Sequence, residues 1–316
     1  MRSVRRQEWK TTVRRLFVVY NPKSARAAAI EAEVLAPLRG LTGWMVGKFE
    51  VKAPSVDENA TELAKLLKDG DLVIVAGGDG TAAVAANGVM LAGKEATLGV
   101  LGYGNLNDMA GMLGEKEVLE IVRKFEAKET REIYPLEVRL DEEHWRYAPC
   151  YATIGLLAEA TELMDDKKVR ASLRKGRRGP VFSLGRAVKW YLENKRRQFL
   201  PKGMKLNGVE VPPKTTDYLA VNGPTLARMM KGGDWYRRAE GFGSGARRLG
   251  GFWQMVGFGL KSVFAKVPLD ETKRDVIEFA EASEVEIQAE GEYQKVKVQK
   301  IEVRKGKALK VVSGKF

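Results

Sequence analysis

Short apolar runs alternate with longer helical stretches along the first third of the chain. Leu16 to Tyr20 is apolar and β-branched, which predicts a buried strand, and Asn21-Pro22 ends it. An alanine-rich helical stretch follows from Ala25 to Leu38. The alternation then repeats. Phe49 to Val51 is a second strand candidate, and Ser55-Val56-Asp57-Glu58 has capping-box spacing ahead of a helix running to Lys68. Asp71 to Ala76 predicts a third strand, ending in Gly77-Gly78-Asp79-Gly80-Thr81 and a helix to Met90. Thr97 to Leu101 predicts a fourth, ending in the polar run Gly102 to Asp108 and a short helix. Strands and helices that alternate with tight connections imply an α/β domain with a parallel sheet covered on both faces.

From Ile133 onward the pattern changes to alternating apolar and polar positions. Tyr134 to Leu140, a turn at Asp141 to Glu143, and Trp145 to Thr153 read as a hairpin. Asp217 to Asn222, Val276 to Phe279, Ser283 to Ala289, Lys295 to Val303 and Ala308 to Val312 read as antiparallel strands. A basic helical stretch from Ala158 to Lys195 and a glycine- and aromatic-rich stretch from Gly241 to Phe264 interrupt this β-rich part. No internal repeat or low-complexity linker is visible.

Composition narrows the classes. A length of 316 residues suits two domains, and 44% hydrophobic with 30% charged residues excludes a disordered chain. One cysteine, Cys150, and one histidine, His144, exclude an internal disulfide framework and a zinc-finger-type cluster, and point to a reducing compartment. No apolar run is long enough to span a bilayer, and Glu8 with the short first apolar run argues against a targeting peptide. The net charge of +13 favours anionic partners.

In an open parallel sheet, ligands bind outside the carboxyl ends of the strands, so the turns at Asn21-Pro22, Gly77 to Thr81 and Gly102 to Asp108 are placed to converge on one crevice. Phosphate suits them. Gly77, Gly78 and Gly80 permit close approach of backbone N–H groups, and the helix opening near Thr81 presents its positive end. Asp79 is the exception, because a carboxylate in such a loop repels phosphate unless Mg²⁺ stands between them, directly or through water. The alternative is that the glycines only make a tight strand-to-helix turn.

Gly-Gly-Asp-Gly-Thr after an apolar strand resembles the nucleotide-binding motif shared by diacylglycerol, sphingosine and NAD kinases. Asn21-Pro22-Lys23-Ser24 and Gly104-Asn105-Leu106-Asn107-Asp108-Met109-Ala110 resemble segments of the diacylglycerol kinase-like branch, in its soluble bacterial form. Ile154-Gly155, Asn222-Gly223 and Glu290-Gly291-Glu292 follow in family order. The resemblance implies an α/β nucleotide domain at residues 1–133 plus 305–316 and an antiparallel β-sandwich lipid domain at 134–304. It also implies transfer of phosphate from ATP, with Mg²⁺, to a hydroxyl of a diacylglycerol-like or sphingoid lipid in the cleft between them.

By the same resemblance, Asn21, Gly77, Gly78, Asp79, Gly80, Thr81 and Asn105 line the nucleotide, Asn107 and Asp108 shape the cleft floor, Asp79 holds the metal, and Glu290 is the base. Three residues depart from the family pattern: Asn105 for Thr or Ser, Met109 for Phe, and Glu290 for Asp. A catalytically impaired nucleotide- or lipid-binding pseudokinase is therefore an alternative, and an NAD kinase-like enzyme is disfavoured by the spacing around Asn107-Asp108.

The basic stretch Lys167 to Arg178, continued by Lys189, Lys195, Arg196 and Arg197, lacks any recognition fold or stacking motif for nucleic acid, so no nucleic-acid partner is expected. It suits docking on an anionic membrane surface, making the expected location cytoplasmic and peripherally membrane-associated. Leu249 to Phe264 reads as a core-facing helix. His144 is expected to be exposed at the hairpin turn, and Cys150 to be a small buried residue in a strand. Oligomeric state has no signature.

Overall fold

A computed structural model describes residues 13–52, 55–104, 107–159, 193, 199–226, 230–248 and 266–312. Asn105, the basic stretch Lys167 to Arg197 apart from Glu193, and the Leu249 to Phe264 helix lie outside the described residues.

The first part contains strands β1 (Arg14–Tyr20), β2 (Trp44–Glu50), β3 (Leu72–Gly77), β4 (Thr97–Gly102) and β5 (Thr130–Ile133). Its helices are α1 (Ala27–Ile30), which runs through a π-helical Glu31–Leu35 into α2 (Ala36–Leu38), then α3 (Val56–Leu66), α4 (Asp79–Ala92), α5 (Asp108–Leu113) and α6 (Val118–Glu126). The Ser55 hydroxyl accepts the Glu58 N–H at 3.2 Å, so the capping-box spacing marks the true start of α3. Helix α6 and strand β5 have no counterpart in the sequence reading.

The second part contains β6 (Leu136–Leu140), β7 (Glu143–Ala148), β8 (Tyr151–Gly155), β9 (Lys205–Leu206), β10 (Val209–Glu210), β11 (Asp217–Val221), β12 (Thr225–Leu226), β13 (Met230–Lys231), β14 (Phe242–Arg247), β15 (Asp270–Thr272), β16 (Arg274–Ala289) and β17 (Glu292–Lys305). The last strand, β18 (Leu309–Val312), crosses back. It pairs parallel to β4 and antiparallel to β5, so the run Ala308 to Val312 supplies a strand of the first sheet and not, as its alternation suggested, one more antiparallel strand of the β-rich part. The first sheet therefore has the order β2-β1-β3-β4-β18-β5, mostly parallel, and the main path of the antiparallel second sheet is β15-β14-β11-β8-β16-β17-β6-β7.

Three local expectations change. The predicted strand Trp145 to Thr153 is broken at Pro149, which has no N–H for a ladder, so β7 pairs with β6 while β8 pairs with β11 and β16. Cys150 accordingly sits between strands, although it is buried as expected. His144 is inside β7 and half-buried, with its ring 4.3 Å from that of Tyr147, because the turn is confined to Asp141 and Glu142 at positive φ. The runs at Val276 to Phe279 and Ser283 to Ala289 belong to one strand whose register shifts between Glu278 and Ser283, the mark of a bulge.

One apolar cluster covers a face of the first sheet with α3 and α4, and it continues into Cys150, Tyr151, Leu219, Val221, Leu226 and Tyr236 of the second part. The two sheets are therefore joined by common packing as well as by chain crossings at residues 134–135 and 306–308. Asn87 of α4 strengthens the joint: its amide donates to the Tyr147 carbonyl at 3.0 Å and accepts the Tyr147 N–H at 2.8 Å. Arg146 adds a two-pronged contact to Asp57 at the start of α3.

Candidate active site

The strand order reverses between β1 and β3, so the carboxyl ends of these strands and of β4 bound one crevice. Asn21 caps the end of β1 in an Asx turn, its Oδ1 accepting the Lys23 N–H at 2.8 Å. Parallel register sets Tyr20 beside Ala76, which places Asn21 next to the glycine loop. The β3 and β4 loops are in backbone contact. A Cβ on Gly104 would come within 2.3 Å of the Gly78 Cα, and one on Gly77 within 2.5 Å of the Thr81 side chain. Tyr103 N–H donates to the Gly77 carbonyl at 2.8 Å, extending the β3–β4 pairing into the loops.

Asn107 holds the second loop in shape. It adopts a left-handed conformation, φ 54°, and its amide both accepts the Gly104 N–H and donates to the Gly104 carbonyl at 2.8 Å. Asp79 occupies the first position of α4, whose preceding residue Gly78 supplies no side-chain cap. The first-turn N–H groups of such a helix have no intrahelical acceptor, which suits an anion. The Asp79 carboxylate reaches across to the start of α5 and accepts the Met109 N–H at 3.4 Å. It thereby ties the two loops together. Burial, helped by the charge of Asp108, raises its pKa to about 6.

The second sheet closes the crevice. Glu290 and Gly291, at φ 55° and 82°, form the two-residue turn between β16 and β17, with Ala289 opposite Glu292. The Glu290 side chain is turned inward and only 2% exposed. Its Oε1 accepts the N–H groups of Cys150 at 2.5 Å and Tyr151 at 3.0 Å. Burial pushes its pKa up to about 8 against the pull of those two N–H groups, and the charges of Asp79 and Asp108 push the same way. Asp108 is 1% exposed and accepts the Thr225 hydroxyl at 2.7 Å. Glu292 follows the turn with its carboxylate over α4, where Oε1 would lie 2.2 Å from a Cβ on Gly80.

The structure thus gathers Asn21, Gly77, Gly78, Asp79, Gly80, Thr81, Asn107, Asp108 and Glu290 around one seam between the sheets. Among the described residues, no three Asp, Glu, His or Cys side chains form a metal cage. One or two carboxylates on a phosphate loop are nevertheless the usual protein share of a Mg²⁺ site, with phosphate oxygens and water supplying the rest. Asp79 fits that share.

Thr225 and Lys305, which the sequence reading passed over, also reach the seam, as do Asn222 and Glu292, which it named only for their family order. Asn222 is fully buried; its Nδ2 donates to the carbonyls of Pro149 at 2.8 Å and Tyr134 at 2.9 Å. Lys305 donates to the carbonyls of Tyr134 at 3.1 Å and Trp235 at 2.8 Å, and to Asn222 Oδ1. Burial, with the charge of Arg238, lowers its pKa to about 7. Its signal was available: Lys305 falls on the same alternation phase as the buried Ile301 and Val303.

Residues 15–138 match the family model of the diacylglycerol kinase catalytic domain. No curated protein matches the sequence. Similar solved structures include a candidate diacylglycerol kinase from Bacillus anthracis str. Sterne, with TM-score 0.63, 16% identity, and coverage of 96% of this chain and 98% of that one. Another structure described in the same terms, from the same strain, gives TM-score 0.64 at 17% identity over 96% and 97% of the two chains. A diacylglycerol kinase from that strain gives 0.60 at 13% over 96% and 97%.

Proposed function

We propose that the chain is a lipid kinase, because residues 15–138 match the model of the diacylglycerol kinase catalytic domain and the fold is similar over nearly its whole length to structures described as candidate diacylglycerol kinases. In this reading it transfers the γ-phosphate of ATP to a hydroxyl of a diacylglycerol-like or sphingoid lipid. One observation carries it. A buried carboxyl, Glu290, faces Asp79 and Asp108 across the seam where the phosphate-type loops meet the second sheet, with its pKa raised to about 8. A carboxylate tuned toward neutrality can accept a hydroxyl proton near physiological pH without being permanently ionised.

The residues fit nucleotide and metal. The uncapped first turn of α4 and the close Gly78–Gly104 approach offer bare backbone to a polyphosphate. Asp79 would hold Mg²⁺, with Glu292 close by over Gly80. When bound, Mg²⁺ neutralises phosphate charge in the transfer. Glu290 then orients the lipid hydroxyl and takes its proton, and Thr225 keeps Asp108 in place. Catalysis in phosphoryl transfer is mostly positioning of this kind.

The test is transfer of labelled phosphate from Mg-ATP to diacylglycerol and to sphingoid bases in mixed vesicles. Labelled lipid is expected with the parent and none above background with Glu290→Gln. Undiminished transfer by Glu290→Gln would remove the base assignment. ATP binding without transfer to any lipid would instead favour a pseudokinase.

A further inference from the structure

The Glu290 carboxyl is held by two N–H groups from a chain segment, Pro149 to Tyr151, that lies between strands. What holds that segment therefore sets the geometry of the base. The Asn222 N–H and the Gly223 N–H both donate to the Cys150 carbonyl, at 2.7 and 2.8 Å, and the Asn222 side chain donates to the Pro149 carbonyl. A Cβ on Gly223 would sit 3.1 Å from the Cys150 Cα, so a side chain there would press the segment aside by a few tenths of an ångström. Asn222 is in turn oriented by Lys305, whose three donors meet Asn222 Oδ1 and the carbonyls of Tyr134 and Trp235. An amide whose oxygen faces an amine must present its NH₂ to the Pro149 and Tyr134 carbonyls, which removes the alternative flip.

We propose that Lys305, acting through Asn222, is a positioning residue for Glu290: it fixes the 149–151 segment whose N–H groups aim the carboxylate into the seam. This rests on the reading of Glu290 as the base. Lys305 lies at the end of β17, next to the crossing by which the chain returns to the first sheet, where Gly306 N–H donates to the Pro135 carbonyl at 2.8 Å. The same residue therefore references the base to both chain crossings. The carboxylate is set relative to the nucleotide loops as well as to its own sheet.

The experiment uses the full chain, ¹⁵N-labelled, with Lys305→Met, which keeps the length and apolar stem while removing the donors. In the parent, the Cys150 and Tyr151 amide protons should resonate downfield because they donate to a carboxyl oxygen, and Glu290→Gln marks where they move when an amide replaces the carboxyl. Lys305→Met is expected to shift both toward the Glu290→Gln positions. It should also lower kcat by roughly ten- to a hundredfold, the usual cost of misplacing a reacting group by up to about 1 Å, while KM for ATP stays within about twofold. A folded Lys305→Met protein with parental Cys150 and Tyr151 shifts overturns the proposal, as does a raised KM with kcat unchanged. If Lys305→Met does not fold, Asn222→Ser removes the amide and leaves Lys305 in place, and the same two shifts decide. Should Glu290→Gln retain transfer, the base reading fails while the amide shifts still report whether the relay exists.

Discussion

Glu290 shows at the scale of one residue how the site opposes the fold. Its carboxyl titrates at about 8 in the folded protein against an ordinary 4.5, with burial the main cause. Between those values the folded state keeps a proton that the unfolded chain has released, so stability falls as pH rises through the interval. Glu290→Gln removes the titration and keeps an oxygen for the Cys150 and Tyr151 N–H groups. It is therefore expected to melt above the parent at about pH 8 and level with it near pH 4, where both states are protonated. Thermal unfolding at the two pH values checks this, and a lower melting point for the variant at the higher pH would show that carboxylate hydrogen bonds outweigh desolvation. Activity follows the opposite course. A base must be unprotonated, so kcat/KM of the parent should rise through roughly pH 8. A flat profile from pH 6 to 9 would exclude Glu290 as the group that limits it.

The controlling contact between elements is the one between the β3 and β4 loops. Gly104→Ala places a methyl 2.3 Å from the Gly78 Cα and 2.5 Å from Asn107 Oδ1, and backbone cannot yield as a flexible side chain can. The loops must separate, at a cost of about 1–3 kcal/mol in stability. Nucleotide affinity should fall further than stability, because the same separation displaces Asp79 from the Met109 N–H. Calorimetric titration with Mg-ATP alongside denaturant unfolding tests this, and unchanged affinity would mean that the nucleotide does not use these loops. Much at this scale was legible in advance. The strand–glycine–helix rhythm located β1, β3, β4 and the starts of α3 and α4 because local rules govern them: apolar runs, caps and glycine turns. The readings that failed depended on distant partners. Trp145 to Thr153 reads as one strand until Pro149 is weighed, and the strand runs on either side of Ala280 merge because β17 pairs with both of them. The seam was half legible. Glycines and carboxylates announce their chemistry in sequence, whereas the contacts of Lys305 with Asn222 and of Asn222 with Pro149 join residues far apart along the chain.

On the scale of the whole molecule, the shared core and the Asn87 and Arg146 contacts tie the second sheet to the helices that open the site. No helix among the described residues is long and apolar enough to cross a membrane. For the lipid kinase proposed above, docking on an anionic bilayer is the expected route to the substrate, with the net charge as the attraction. Lys and Arg number 54 against 41 Asp and Glu, giving +13. Each cation brought near an anionic leaflet contributes about 1 kcal/mol, over a distance that mobile ions limit to about 10 Å at 0.1 M salt. Neutral vesicles offer no such field, so binding should require anionic lipid and weaken steeply as salt rises. The cluster Arg174, Lys175, Arg177 and Arg178 concentrates four of these charges within five positions. Replacing all four with Gln is expected to weaken binding to phosphatidylserine-containing vesicles by tenfold or more at low salt, since even half the ideal contribution of four charges amounts to about 2 kcal/mol. If the cluster serves docking alone, phosphorylation of a short-chain lipid presented without a bilayer should be unchanged. Vesicle sedimentation across a salt series, paired with the short-chain assay, separates the two effects. Equal binding of variant and parent would place the docking surface elsewhere on the molecule, and loss of short-chain activity would place the cluster at the site itself.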